Sequence, residues 1–515
     1  MKKYLFKMRW LLAGSVVVSI IESVVTAVML LFPGWLVDGY KKGLPYMEKL
    51  FAGYTVTFVL YLLMAYLGNR CGDKRRLGFE KMLKKDFFDS VISRNFKSFH
   101  EYDISEYISM QANDIAEMTQ NYMNPLYSIF NSTIMIVVFG ISLIIFVNVY
   151  VTIFIIGFTV LTVFVPRITA NELAKRNRAY LDGLGKYTKS IHTYFKSHVI
   201  LDRDGQDTIK RRHNDDLNGV FLKYMNYRKL NSLAMVINGG SVDAVSLITF
   251  IAVAILLFHG KITLGMATIA FNYSTKFMEP MYELNTEIGT VLSVRDIQKK
   301  LLDIINGGSI DSANSEEIHE ISTTELTKNY NDTKIHIEPL RMDYPGKYLV
   351  TGENGAGKSV LFRMLMHFEE PDTGKILYNN RDLPDGISES VCYLPQNPVI
   401  FDASLLDNVT IYGTYSADKL AEYETYFPDS IIKHVKESTD PENLSGGEKQ
   451  VIALLRALCS AKPVILLDEP FSAMNQVTID TFMSRMKDIK RLMVIIAHNL
   501  DNYEGLFDEK FVIKR

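Results

Sequence analysis

The chain has 515 residues, 48% of them hydrophobic and 22% charged, with a formal net charge of −2. That length supports more than one domain, the near-neutral balance gives no electrostatic footprint for nucleic acid, and the apolar content excludes a disordered or collagenous chain. Three scattered cysteines, Cys71, Cys392 and Cys459, form neither a disulfide framework nor a zinc site.

Apolar runs long enough to cross a bilayer, about 20 residues each, crowd the first half. The first predicted span runs from Trp10 to Leu36 and the second from Phe51 to Leu67. Leu126–Val147 and Val149–Val165 follow, parted only near Asn148, then Leu233–Phe258. A sixth, Ile262–Tyr282, is poorer because it carries Asn272, Lys276 and Glu279. The first span is too long for the h-region of a signal peptide, so it reads as an uncleaved helix. Segments 68–125 and 166–231 hold nine and fourteen Lys/Arg, while the turns at 148 and 259–261 are almost bare. The positive-inside bias therefore predicts cytoplasmic termini and cytoplasmic long connections. Those connections have helical periodicity, so the spans are expected to continue as helices beyond the membrane. A last helical repeat ends at Asn306-Gly307-Gly308, and the polar stretch to Ser322 reads as a linker. The predicted domains are 1–305 (transmembrane), 306–322 (linker) and 323–515.

The third segment alternates short β-rich runs with helical patterns, as a parallel α/β sheet does. KYLVTG leads into Gly352-Glu353-Asn354-Gly355-Ala356-Gly357-Lys358-Ser359-Val360 and a helix, which is the G-x-x-x-x-G-K-[ST] phosphate loop in its strand–loop–helix context. Its backbone N–H groups can wrap phosphate oxygens at a helix N-terminus. Lys358 adds a cation for the outer phosphates, and the Ser359 hydroxyl can ligate Mg²⁺. Downstream, the strand PVILL delivers Asp468 and Glu469 at its C-terminal end. The pair suits metal and water chemistry, with Asp468 on Mg²⁺ and Glu469 orienting or deprotonating the attacking water.

Between these elements stands Leu444-Ser445-Gly446-Gly447-Glu448-Lys449-Gln450, opening a helix. This order resembles the nucleotide-binding domain of the ABC transporters, and LSGGEKQ resembles that family's signature. The resemblance implies ATP and Mg²⁺ as cofactors and further roles by position. Gln396 matches the Q-loop glutamine beside the metal, His498 the switch histidine, and Tyr330 the aromatic that stacks on adenine. Ser445, Gly446 and Gly447 would face the ATP of a second chain, so the chain is expected to dimerise. Two departures stand out: Asn475 occupies the place of the usual D-loop Asp, and Val360 that of a usual Thr.

Six spans before one nucleotide-binding domain resemble a half-transporter of the exporter fold, an α-helical transmembrane bundle fused to an α/β P-loop ATPase. The resemblance implies a multi-pass protein of a bacterial cytoplasmic membrane, paired with itself or with a second half-transporter. Short coupling helices are expected within His100–Ile108 and Ile200–Asp207. ATP-driven export of a small amphipathic molecule, lipid or peptide is the leading expectation. Metal-chelate import on the same fold and ligand sensing are the alternatives. Glu22, Asp243, Lys276 and Glu279 lie in predicted spans, so each is expected to face the bundle interior or pair with another charge.

Overall fold

The computed structural model describes all residues except 148, 163, 166, 308–316, 331–332, 383–389, 439, 499 and 515. The chain divides into two compact units, Met1–Ile92 with Tyr102–Gly308, and Ser93–Glu101 with Ser309–Arg515.

The first unit is helical. It opens with α1 (Lys2–Lys7), α2 (Arg9–Gly39) and α3 (Leu44–Ile92). Outside this unit, the Ser93–Glu101 excursion carries a single turn, α4 (Phe96–Phe99), and belongs to the second unit. The helical unit resumes with α5 (Ile104–Ser109), α6 (Ile115–Met118) and α7 (Asn124–Phe146), joined by π turns into one continuous rod. Next come α8 (Val149–Thr162), α9 (Arg167–Lys196), α10 (Arg203–Phe258), α11 (Leu264–Ser293) and α12 (Arg295–Asn306). Among the described residues, four helical stretches, containing α2, α3, the rod ending in α7, and α10, are long and apolar enough to cross a membrane. By that measure α8 is short, and α11 carries Lys276, Glu279, Glu283 and Glu287. At 1.5 Å per residue, the 49 residues of α3 and 56 of α10 reach about 70–85 Å, far beyond a bilayer core of about 30 Å. The expected helical extensions are therefore present. The single turn α4 lies ahead of the expected 100–108 segment because Asn95 caps it, its Oδ1 accepting from Ser98 N–H at 2.9 Å. The next helix starts only after Asp103. At the second expected position a 3₁₀ turn, Ser197–Ile200, precedes Asp202, which caps α10 by accepting from Gly205 N–H at 2.8 Å. Asn148, read as a turn, lies outside the described residues, as does most of the linker.

The bundle core gathers Ala27 and Leu31 of α2, Phe139 and Leu143 of α7, and Tyr273 and Phe277 of α11, all buried. Tyr273 donates to the Ala27 carbonyl at 2.6 Å and shares a 2.6 Å hydrogen bond with Ser142, so its buried hydroxyl is satisfied. At one end α2 and α11 touch backbone to backbone. A Cβ on Gly34 would lie 2.5 Å from the Gly265 carbonyl oxygen, and one on Gly265 2.4 Å from that of Gly34. Asp38 bridges the same crossing, accepting from Thr263 Oγ1 at 2.6 Å and Gly265 N–H at 2.7 Å. Among the span charges, Lys276 and Glu279 pair with each other at 3.4 Å. Glu22 is partly buried beside Gly68, and Asp243 is exposed.

The second unit is built on a five-stranded parallel sheet in the order β10-β5-β9-β8-β7. In chain order the unit's strands are β1 (Glu320–Thr323), β2 (Leu326–Tyr330), β3 (Thr333–Ile337), β4 (Arg341–Asp343), β5 (Lys347–Gly352), β6 (Ile376–Tyr378), β7 (Val391–Leu394), β8 (Val464–Asp468), β9 (Leu492–Ile496) and β10 (Glu509–Ile513). Strand β1 begins inside the stretch read as a linker. It is central in an antiparallel sheet β4-β1-β6, while β2 and β3 form a hairpin. Alternate residues of β8 feed two cores, as strand geometry requires. Val464 and Leu466 pack toward α13 (Lys358–Leu365), whereas Ile465 and Leu467 pack toward the helix Gly446–Cys459. Both faces of the sheet are thus covered, as a parallel sheet demands.

Candidate nucleotide site

In an open parallel sheet, ligands bind outside the carboxyl ends of the strands. Four such ends carry the predicted residues: β5 runs into the phosphate loop, β7 toward Gln396, β8 into Asp468 and Glu469, and β9 toward His498.

The loop depends on its glycines. Gly352 has φ +149°, and a Cβ there would sit 2.3 Å from the Ile513 carbonyl oxygen. Gly357 has φ +103°, and a Cβ there would strike Ile335 of the hairpin at 2.5 Å. Gly357 is the N-cap of α13 and offers no side chain to its first N–H groups, which leaves them for an anion. Lys358 is buried, and its Nζ donates to the carbonyls of Gly352 and Glu353 at 2.9 and 3.0 Å. Ala356 and Val360 point into the core beneath the loop, while Glu353 and Asn354 are exposed above it. Tyr330 ends β2, and its hydroxyl donates to Glu369, which also pairs with Arg363 at 2.9 Å. Burial and that carboxylate push the Tyr330 phenol up.

Asp468 is buried. Burial pushes its carboxyl up, against a hydrogen bond from Ser359, and the Tyr393 hydroxyl donates to it at 3.4 Å. Glu469 follows with φ +47°, its N–H donating to the Ile496 carbonyl at 2.8 Å. This bend turns its side chain toward both neighbouring strand ends. Gln396 Nε2 donates to Oε2 at 2.7 Å, and His498 Nε2 lies 3.6 Å from Oε1. A polar cleft of about 360 Å³ opens beside Glu469, His498, Ser472 and Gln476.

Ser445 is the N-cap of the helix Gly446–Cys459. Its N–H and hydroxyl donate to Glu448 Oε2 at 2.8 and 2.7 Å, completing a capping box. The other Glu448 oxygen lies 2.6 Å from His434 Nδ1. Burial acts to raise the Glu448 carboxyl, but the Ser445 and His434 bonds outweigh it and hold it below the usual range. A Cβ on Gly447 would lie 2.8 Å from the Ala473 carbonyl oxygen, so the helix start is pressed against the turn after Glu469. Asn475 caps the helix Gln476–Arg485, accepting from Thr478 N–H at 2.9 Å and Thr478 Oγ1 at 2.8 Å.

The sequence-predicted residues thus fall into four places, Tyr330 standing by itself beside Glu369. Gln396, Glu469 and His498 meet directly, and Asp468 and Ser359 meet beside Lys358. The serine and glycines of the signature stand apart, against the Ala473 turn. Sequence reasoning missed Tyr393 and His434 altogether, and named Glu448 and Gln450 only as members of the signature run, without the contacts they make. The S-x-x-E spacing could have disclosed Glu448, but the other three contacts are tertiary. Anionic phosphate fits the free helix N-terminus and Lys358. Among the described residues no group of three or more His, Cys, Asp or Glu is gathered for a metal. Mg²⁺ keeps most of its waters and needs only one or two protein oxygens, so Ser359 with Asp468 suits it.

The sequence matches the family model for the ABC transporter transmembrane region over residues 11–281 and that for the ABC transporter over residues 340–472. It is 24% identical over 455 residues to an export ATP-binding/permease protein of Rickettsia bellii, covering 82% of this chain and 77% of that one. It is also 24% identical over 367 residues to an ATP-dependent lipid A-core flippase of Photobacterium profundum, covering 66% and 62%. A structure of a bacterial Atm1-family ABC exporter with ATP bound superposes with a TM-score of 0.81 at 16% identity, covering 98% of this chain and 93% of that one. The chain therefore belongs to the ABC transporter family, as an ATP-driven transporter that carries its transmembrane and ATP-hydrolysing domains in one polypeptide.

Proposed function

We propose that two copies of this chain, embedded in a bacterial cytoplasmic membrane with their ATPase domains in the cytoplasm, export an amphipathic molecule by alternating access. The export permease relatives support the outward direction, and the lipid A-core flippase supports a lipid as one form of that cargo, a peptide being the other. The observation that carries the hydrolytic part is the convergence of Gln396 and His498 on Glu469. In this reading Tyr330 stacks on adenine, and the N–H groups of 352–360 with Lys358 bind the phosphates. Ser359 and Asp468, with Gln396 nearby, would hold Mg²⁺, which supplies charge neutralisation on the phosphate oxygens when bound. Glu469 accepts the proton of the attacking water, and His498 and Gln396 fix the direction of that carboxylate. On this reading the transmembrane domain is 1–305 and the ATPase domain 323–515, joined by a linker over 306–322.

Each composite site takes its phosphate loop from one chain and its Ser445, Gly446 and Gly447 from the other. A second helix N-terminus aimed at the γ-phosphate adds donors only when the pair is closed. ATP then favours the closed state, and hydrolysis removes that preference. Glu469→Gln in nanodiscs is expected to lower ATP turnover about 100-fold or more, the scale of a lost general base, while ATP binding persists. Undiminished turnover would overturn the role of Glu469.

A further inference from the structure

Gln450 is a neutral, polar residue on the third position after Gly447 and the fourth after Gly446, so it shares their helix face. It is only 3% exposed, and a buried amide must be satisfied. Its partners all lie on the turn after β8. Nε2 donates to Ser472 Oγ at 2.8 Å and, more weakly, to the Glu469 carbonyl at 3.4 Å, while Oε1 accepts from Ala473 N–H at 3.0 Å. The same turn is where Gly447 meets the Ala473 carbonyl and Gly446 the Ala473 side chain. It is also the turn that holds Glu469 in the left-handed region, a conformation that persists only when its surroundings over-determine it. One side chain therefore fastens the helix start that would face the partner's ATP to the bend that aims this chain's own carboxylate.

We propose that Gln450 is a positioning residue serving both composite sites at once: it sets the Glu469 bend for its own ATP and the Ser445–Gly447 start for the partner's ATP. A shift of either element is transmitted to the other through three hydrogen bonds and a glycine contact, with no slack for a side chain between them. This inference rests on the two-chain reading above, and it assigns a role in both sites to a residue that contacts neither nucleotide.

The test uses the full chain in nanodiscs with donor and acceptor dyes on the ATPase domains. In a Glu469→Gln parent, closure against ATP concentration reports the signature arm. In the parent with Glu469 intact, turnover at saturating ATP reports the carboxylate arm. Gln450→Met keeps the volume and removes the bonds, and Ser472→Ala removes one partner with little change in packing. Both variants are expected to raise the ATP needed for half-closure about fivefold or more and to lower saturated turnover about tenfold or more. Binding of a fluorescent ATP analogue to the open state stays unchanged, which a merely unstable domain would not allow. A change in only one arm, or in neither, would overturn the proposal. A Glu469→Gln parent that never closes with ATP would overturn the two-chain reading and this inference with it.

Discussion

Glu469 and Lys347 show how single residues in this chain are held against their own preferences. Glu469 adopts φ +47°, which costs an L-residue about 1–2 kcal/mol, and the bonds to Ile496, Gln396 and Gln450 offset it. Lys347 starts β5 almost fully buried, with Nζ donating to the carbonyls of Ile489 and Arg491, each at 2.7 Å. Burial pulls its ammonium down to about 8 from an ordinary 10.5, with Arg491 adding to the effect and Asp508 opposing it. Between those two values the unfolded chain holds the extra proton, so stability rises with pH across that window. Raising the pH from about 8 to about 10 should therefore favour the wild type over Lys347→Met in thermal unfolding. A difference between the two proteins that stays flat would remove Lys347 as the titrating group.

At the scale of elements, the crossing of α2 and α11 is fixed by two absent side chains. Gly265→Ala would put a methyl 2.4 Å from the Gly34 carbonyl oxygen and 2.3 Å from the Asp38 carboxyl carbon, and force the helices apart together with the Asp38 bridge, since close approach of small residues is what packs such pairs. We expect a loss of roughly 1–3 kcal/mol, read as a lower melting temperature in nanodiscs with Asp38 still present. An unchanged melting temperature would mean the helices separate there without cost. Apolar runs announced the existence of the membrane helices, because length and hydropathy are local properties. They did not announce this crossing, because nothing in Gly34 or Gly265 alone names its partner. The site divides the same way. The phosphate loop and the Asp468–Glu469 pair were legible because each is a short run doing one job. Gln396, His498 and Tyr330 became legible only through the family resemblance. Tyr393 and His434 act across the fold and left no local trace, and Gln450 showed only as the end of the signature run, without its partners Ser472 and Ala473. The position of α4 was missed although Asn95, three residues before Ser98, is an ordinary helix-start signal.

For the molecule as a whole, sequence order and spatial order disagree at one place. Residues 93–101 lie between two helical stretches of the first unit but belong to the second. There Phe96 stacks on Phe368 at 3.7 Å with the rings nearly parallel, and Phe368 meets Tyr393 edge-on at 6.1 Å. Tyr393 in turn reaches Asp468. A fragment of residues 309–515 expressed alone would leave open to water the face of the Phe368 ring that Phe96 covers. We expect that fragment to aggregate, and a tethered copy of residues 93–101 to restore solubility, with Phe96→Ala in the tether cancelling the rescue. Equal solubility with and without the tether would show that Phe368 needs no cover. The ATPase half is in this sense not a severable cassette. Its polypeptide begins more than two hundred residues before its own first strand, and grafting it onto another transporter would mean moving two pieces of gene.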